Sequence, residues 1–234
     1  MTMPQNAASL LTSVFGLMKG LKLPWHRRRL TKEARRDICA VIKILQSNHG
    51  RGYFSYEHLP YADDIYTDAS KERRFAGGGF VSMDGTYDWW EYGSSLKRRP
   101  IAYLEGDAVV RAVENLKDKL RGKRVRIFCD NQSFTFSLRK GRSKADALNS
   151  LVRSLFELSS ELQCIFEPHW ISTHCNVMAD YLSRNRCGDF LAHVREHYPG
   201  ISFKRCGDGD IHAAYQQHTK MHHLTPIMRS GQRG

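Results

Sequence analysis

The sequence predicts an α/β fold: a mixed sheet covered by helices, with an N-terminal helical appendage. Three observations carry this reading. From residue 64 onward, strand-like and helix-like apolar patterns follow one another in the order βββαβαβα, which a mixed sheet covered by helices accommodates. Residues 1–60 carry helical patterns and a polar, aromatic connector. The chain has 234 residues, 41% of them apolar, enough for one ordinary core plus an appendage.

In the appendage, Leu11, Val14, Phe15 and Met18 fall at i, i+3, i+4 and i+7, which predicts a short amphipathic helix over 7–22 closed by Pro24. The basic joint His26-Arg27-Arg28-Arg29 follows. Thr31 is an expected N-cap for a second helix whose apolar stripe is Ile38, Val41, Ile42 and Leu45, stopped by Asn48-His49-Gly50. The connector runs from Tyr53 to Tyr61.

The main body, 61–200, opens with strands near 64–69, 77–81 and 86–92, the last two joined by the turn signal Asp84-Gly85. Of the adjacent Trp89 and Trp90, alternation sends one inward and one outward, where it could stack on a substrate or partner. A helix is expected over about 102–120. The next strand, 124–130, alternates Val125, Ile127 and Cys129 against Arg124, Arg126 and Phe128. A short helix over 132–138 ends in the basic loop Arg139-Lys140-Gly141-Arg142, and a longer one over 144–162 carries the stripe Leu148, Leu151, Val152, Leu155, Leu158 and Leu162. A strand over 164–171 and a helix over 176–184 complete the body. The Gly-, His- and Gln-rich tail from Gly207 is expected to be disordered.

The net charge of +12, from 36 Lys+Arg against 24 Asp+Glu, favours polyanionic partners, nucleic acid ahead of a membrane surface. No apolar run reaches the roughly 20 residues that span a bilayer. No basic residue precedes Lys19, and Thr12, Ser13 and Gly16 interrupt the first apolar run, so no secretory signal is expected. Six cysteines without a C-x-x-C pair read as free thiols of an intracellular protein, in cytoplasm or nucleus.

Four acids stand out. Glu105 shares a helical face with Ile101, Ala108, Val109, Ala112 and Leu116, so it interrupts a core stripe, where an unpaired carboxylate is costly. It is either a site residue or a satisfied core acid near a helix start. Asp130 follows a strand directly and is either a site acid or the N-cap of the next helix. Asp68 precedes the small pair Ala69-Ser70 and is either a site acid or a strand-end turn residue. Asp180 has Asn176 at i−4 and Arg184 at i+4, and an exposed ion pair with Arg184 is its plain alternative. As a set, four carboxylates on strand, helix, strand and helix suit two divalent cations roughly 4 Å apart. Asp107, around the helix from Glu105, is expected to be solvated. Cys187, His193, His197 and Cys206 form a weak zinc candidate, and His218, His222 and His223 a non-specific one.

The runs Asp68-Ala69-Ser70, Tyr103-Leu104-Glu105-Gly106-Asp107, Cys129-Asp130-Asn131 and Asn176-Val177-Met178-Ala179-Asp180-Tyr181-Leu182-Ser183-Arg184 together resemble the ribonuclease H domain of retroelement reverse transcriptases, gypsy-like or DIRS-like. The ending A-D-x-L-S-R is the most specific piece. The resemblance covers about residues 63–186, and the segment before it is similar to the thumb or connection region of such polyproteins. It implies a ribonuclease H-like five-stranded mixed sheet flanked by helices. It also implies cleavage of the RNA strand of RNA–DNA hybrids with two Mg²⁺ ions, Mn²⁺ as a substitute, held by Asp68, Glu105, Asp130 and Asp180. A polymerase domain missing from this chain is the implied partner. His174 is a candidate for the family's mobile histidine. Arg139, Lys140 and Arg142 are candidates for backbone phosphates, Asn131 and Ser133 for the 2′-hydroxyl, and Asn176 for a substrate contact. A proofreading exonuclease would want D-x-E where Asp68-Ala69-Ser70 stands, and a transposase a final Glu where Asp180 stands. The alternative is a catalytically inactive nucleic-acid-binding remnant.

Overall fold

The computed structural model describes residues 11–23, 27–47 and 59–206. Pro24, the stop at 48–50, the connector from Tyr53 to 58 and the tail from Gly207 lie outside the described residues, as does the side chain of Leu45.

Six strands form one mixed sheet: β1 (Ile65–Lys71), β2 (Ala76–Ser82), β3 (Thr86–Glu91), β4 (Arg124–Cys129), β5 (Ile165–Trp170) and β6 (Lys204–Arg205). Their order is β5-β4-β1-β2-β3-β6. The hairpins β1–β2 and β2–β3 are antiparallel, whereas β1–β4, β4–β5 and β3–β6 are parallel. The five strands of the sequence reading are present. The sixth was not expected, because two polar residues carry no periodicity; β6 is held by its ladder to Thr86 and Tyr87.

The helices are α1 (Thr12–Met18), α2 (Lys32–Ser47), α3 (Ser94–Lys97), α4 (Ile101–Leu120), α5 (Gln132–Lys140), α6 (Asp146–Leu162), α7 (Val177–Ser183) and α8 (Cys187–His197). Strand alternation splits the core into two faces. Phe80 joins Val109, Val113, Leu116 and Leu155 of α4 and α6, while its neighbour Val81 joins Met178, Leu182, Phe190 and Val194 of α7 and α8. Gly106 lets α4 come close to its neighbours: a Cβ there would sit 2.8 Å from Leu151 Cδ1 and 2.8 Å from the Phe134 ring. The glycine that costs helix propensity is thus set by packing. The buried stripe of α4 starts at Leu104; Ile101, read as part of it, is exposed. Asp107, read as solvated, is mostly covered and takes a 2.7 Å hydrogen bond from Arg111 Nε.

The two tryptophans lie on opposite faces, but neither is a free platform. Trp90 packs against the α4 side with Arg111 over its ring, and Trp89 packs on the α7–α8 side beneath Arg205, 3.8 Å from its ring centroid. Thr31 caps α2 by accepting from Ala34 N at 3.1 Å. The appendage docks on α6 through a buried charge: Asp37, fully buried, pairs its Oδ1 with Arg153 Nη2 at 2.6 Å, and its Oδ2 accepts from Ser13 N at 3.1 Å. Val41 and Ala40 pack on Phe156 beside it. Phe15 and Met18, from the predicted apolar stripe of α1, are instead more than half exposed. No helix among the described residues is long and apolar enough to cross a membrane.

Candidate active site

The parallel pairing of β1 with β4 sets the site. Its last paired residues are Thr67 and Cys129, so Asp68 and Asp130, one residue further along each strand, are neighbours. Asp68 lies inside β1 and is 4% exposed, which removes the turn-acid reading. Asp130 is not an N-cap; Asn131 caps α5, its side chain accepting from Phe134 N at 2.9 Å. Glu105 arrives from α4. One carboxylate oxygen from each of Asp68, Glu105 and Asp130 lies within 4.8 Å of the other two.

Each acid is held by a neighbour. Ser183 Oγ donates to Asp68 Oδ2 at 2.5 Å, and Ser70 Oγ donates to the Ser183 carbonyl at 2.7 Å. Asn131 Nδ2 donates to Glu105 Oε2 at 2.5 Å. Thr173 Oγ1 donates to Asp130 Oδ2 at 2.9 Å, and Trp170 Nε1 donates to the Asp130 carbonyl at 3.0 Å. Asn176 is buried and donates from Nδ2 to the Thr67 carbonyl at 2.9 Å, fixing the strand one residue before Asp68. Its Oδ1 is buried and accepts no hydrogen bond among the described residues. Asn131 is engaged at both ends of its amide, since Oδ1 caps α5 and Nδ2 holds Glu105, which leaves Ser133, exposed on the first turn of α5, as the free member of that expected pair.

Burial chiefly, then the charges of Asp130, Asp180 and Glu105, pushes the Asp68 carboxyl up to about 7 against the opposing pull of Ser183. Burial, then the Asp130 charge, pushes Glu105 to about 7 against the hydrogen bond from Asn131. Asp130 Oδ1 is buried and accepts no hydrogen bond among the described residues. Asp68 and Glu105, both resisting ionisation, beside an unused oxygen of Asp130 fit a divalent cation, which would satisfy both conditions.

Asp180 is not one of the three clustered acids. Arg184 Nε donates to its Oδ1 at 2.7 Å, the i,i+4 pair left open by the sequence. It is still near enough to Asp68 to disfavour that residue's ionisation. His174 is exposed on the 3₁₀ turn Thr173–Cys175, one residue from the Asp130 partner Thr173. Arg139, Lys140 and Arg142 are exposed at the end of α5; Arg139 Nε donates to the Pro168 carbonyl at 2.9 Å, and Lys140 lies over the exposed Phe136 ring. The zinc candidate does not assemble: among the described residues the one metal-competent group of three or more is the acidic one. His193 and His197 stack on each other instead, with ring centroids 4.2 Å apart. Sequence reasoning missed Thr173 and the roles of Ser70 and Ser183, which depend on contacts between distant segments.

No family model matches the sequence, and no curated protein matches it. Among solved structures, ribonuclease H1 from Halobacterium salinarum is similar at 20% identity and a TM-score of 0.45, over 54% of this chain and 98% of that one. The N-terminal ribonuclease H domain of a Mycobacterium tuberculosis protein is similar at 16% identity and 0.44, over 56% and 95%. LC11 ribonuclease H1, solved in complex with an RNA/DNA hybrid, is similar at 21% identity and 0.44, over 52% and 93%.

Proposed function

We propose that this chain is a metal-dependent endoribonuclease that hydrolyses the RNA strand of RNA–DNA hybrids, as the ribonuclease H part of a reverse transcriptase. The observation that carries the reading is the convergence of Asp68, Glu105 and Asp130 oxygens within 4.8 Å of one another, at the residues that the sequence resemblance assigns to catalysis. These three would hold Mg²⁺, with Mn²⁺ as a substitute, and Asp180 is the proposed fourth ligand of a two-ion site. Bound there, divalent cations supply the positive charge that stabilises a phosphodiester as negative charge builds on it and help ionise an attacking water.

The remaining work falls to the chain's own groups. Ser183, Asn131 and Thr173 each fix one carboxylate, so the acids keep their places without the reorganisation a solvated cluster would need. Arg139, Lys140 and Arg142, exposed at the C-terminal end of α5, would offer cations to backbone phosphates, which sets register without reading sequence. Ser133 offers a hydroxyl to the ribose 2′-OH. His174, exposed on its turn, would shuttle a proton or help product leave. A polymerase domain is the proposed partner, and the exposed Phe15 and Met18 of α1 are apolar surface for it to cover.

The test is cleavage of an end-labelled RNA–DNA hybrid with and without Mg²⁺, with binding measured in parallel. Asp130→Asn should abolish cleavage while hybrid binding persists. Cleavage that survives Asp68→Asn and Asp130→Asn together would remove the mechanism. Salt-sensitive binding without turnover in the wild type would favour the inactive remnant.

A further inference from the structure

The last turn of α7 joins two of the four acids to the rest of the protein in different ways. Asp68 is tied to the helix backbone region through Ser183, while Asp180 is tied to Arg184. The helix itself has little room to move. A Cβ at Gly79 would lie 2.6 Å from Leu182 Cβ, and one at Gly77 would collide with the Ser183 carbonyl, so α7 rests directly on the backbone of β2. Ser70 and Asn176 add hydrogen bonds at its two ends, to the Ser183 carbonyl and from Asn176 to Thr67. What is left to move is a side chain. The Arg184 side chain is 41% exposed, and a second carboxylate, Glu72 Oε1, already lies 3.8 Å from its Nη1. Glu72 follows β1 and is itself mostly exposed.

We propose that Arg184 is a built-in counter-cation for Asp180, holding it apart from the three-acid cluster until the guanidinium shifts toward Glu72. This rests on the metal-dependent reading above and adds a regulation to that site. Asp68, Glu105 and Asp130 form one binding place that stands ready, whereas a second ion that takes Asp180 as its fourth carboxylate meets the Arg184 charge on Oδ1 and binds more readily once the guanidinium is displaced. Arg184 is thus a positioning residue. It lowers repulsion in the ion-free protein and weakens the second ion relative to the first. Glu72 makes the displacement easier by giving the guanidinium another partner. Arg184 and an incoming cation carry like charge at the same carboxylate, so each weakens the other's hold on Asp180.

The experiment is a calorimetric titration of the full chain with Mn²⁺, beside Arg184→Gln, Glu72→Gln and Glu105→Gln, with the spin signal of free Mn²⁺ as an independent count of bound ions. The wild type should show a tighter and a weaker event. Arg184→Gln should tighten the weaker one about two- to fivefold, the range set by a partly exposed ion pair, and leave the tighter one unchanged. Glu72→Gln should weaken the second event alone. Glu105→Gln should remove the tighter event. A second event unchanged or weakened by Arg184→Gln overturns the proposal even if the first behaves as expected. No Mn²⁺ binding that depends on Glu105 overturns both this proposal and the metal-dependent reading beneath it.

Discussion

Replacing Asp68 by Asn should stabilise the protein in the absence of divalent ions and abolish its stabilisation by them. Asp68 is pushed from 3.8 to about 7, first by burial and then by three neighbouring carboxylates. Its folded-state pKa therefore lies above its unfolded one. Between those values the folded chain holds a proton that the unfolded chain has released, so stability falls as pH rises from about 4 to about 7 and stays low above that. A rise of about three pH units corresponds to a ceiling of about 4 kcal/mol. Asp68 is almost fully buried, so solvent screening removes little of this, but Glu105 titrates with it and the two do not add. A gain of about 1–3 kcal/mol for Asp68→Asn near pH 8 is the reasonable expectation, or about 3–10 °C in Tm for a chain of this size. The amide still offers an oxygen to Ser183 Oγ, so the hydrogen bond is kept. The assay is urea and thermal denaturation of both proteins in chelator, across the pH range, and again in millimolar Mg²⁺. The advantage of the variant should vanish near pH 4 and shrink or reverse when Mg²⁺ is added, because the wild type alone keeps its full ligand set. A wild-type stability that is flat with pH in chelator, with the Asn variant weaker throughout, would refute the account of a charge-frustrated cluster.

Asn131→Ala should cost about 1 kcal/mol through loss of the α5 cap and should also weaken Mn²⁺ binding, because Glu105 loses its donor; Asn131→Asp should keep the cap but set another carboxylate directly against Glu105, so denaturation and Mn²⁺ titration will separate the two roles. Asp37→Asn leaves Arg153 without its buried partner, a loss of at most about 3–5 kcal/mol and less here because Arg153 keeps some exposure; limited proteolysis should then cut within α1–α2 faster than within the sheet. Changing Arg139, Lys140 and Arg142 together to Gln should lower the salt slope of hybrid binding by about two to three while leaving Tm nearly unchanged, since all three are exposed.

Much of the fold is legible in the sequence because its strands and helices bury one face each. The alternation in β4 and the Leu stripe of α6 mark elements whose periodicity survives any tertiary context. Glu105 is legible for the same reason, as a charge placed where the pattern demands an apolar side chain. What the sequence hides is of two kinds. Some elements have no period of their own: β6 is Lys-Arg, and only pairing with β3 makes it a strand. In α8, Phe190, Leu191 and Val194 are buried, but attention to its histidines as ligands obscures the helix they sit on. Other features depend on distant segments meeting. Ser183 and Asp68 are 115 residues apart, and nothing local to either says that a hydroxyl should fix that carboxylate. Asn131 is an intermediate case, since its capping role follows from its place before a helix, but its bond to Glu105 needs the packing of α5 on α4.

Asp180 shows why the two levels must be weighed together. By local chemistry it is half of an ordinary i,i+4 ion pair, and that pair is present. By position it is near enough to Asp68 to raise the cost of a negative charge there. Both statements hold because an ion pair does not cancel a charge for every neighbour: Arg184 neutralises Asp180 from one side, while Asp68 still senses the carboxylate from the other. The same arrangement therefore serves two states. Without metal ions, Arg184 limits the repulsion that four acids would otherwise impose on a buried cluster. On the proposed two-ion reading, it is the cation whose charge the second ion meets at Asp180. A site built only for stability would pair Asp180 more deeply, and one built only for tight metal binding would omit Arg184. An exposed guanidinium with Glu72 as an alternative partner lies between those extremes, and the order in which ions bind is where that compromise would be visible.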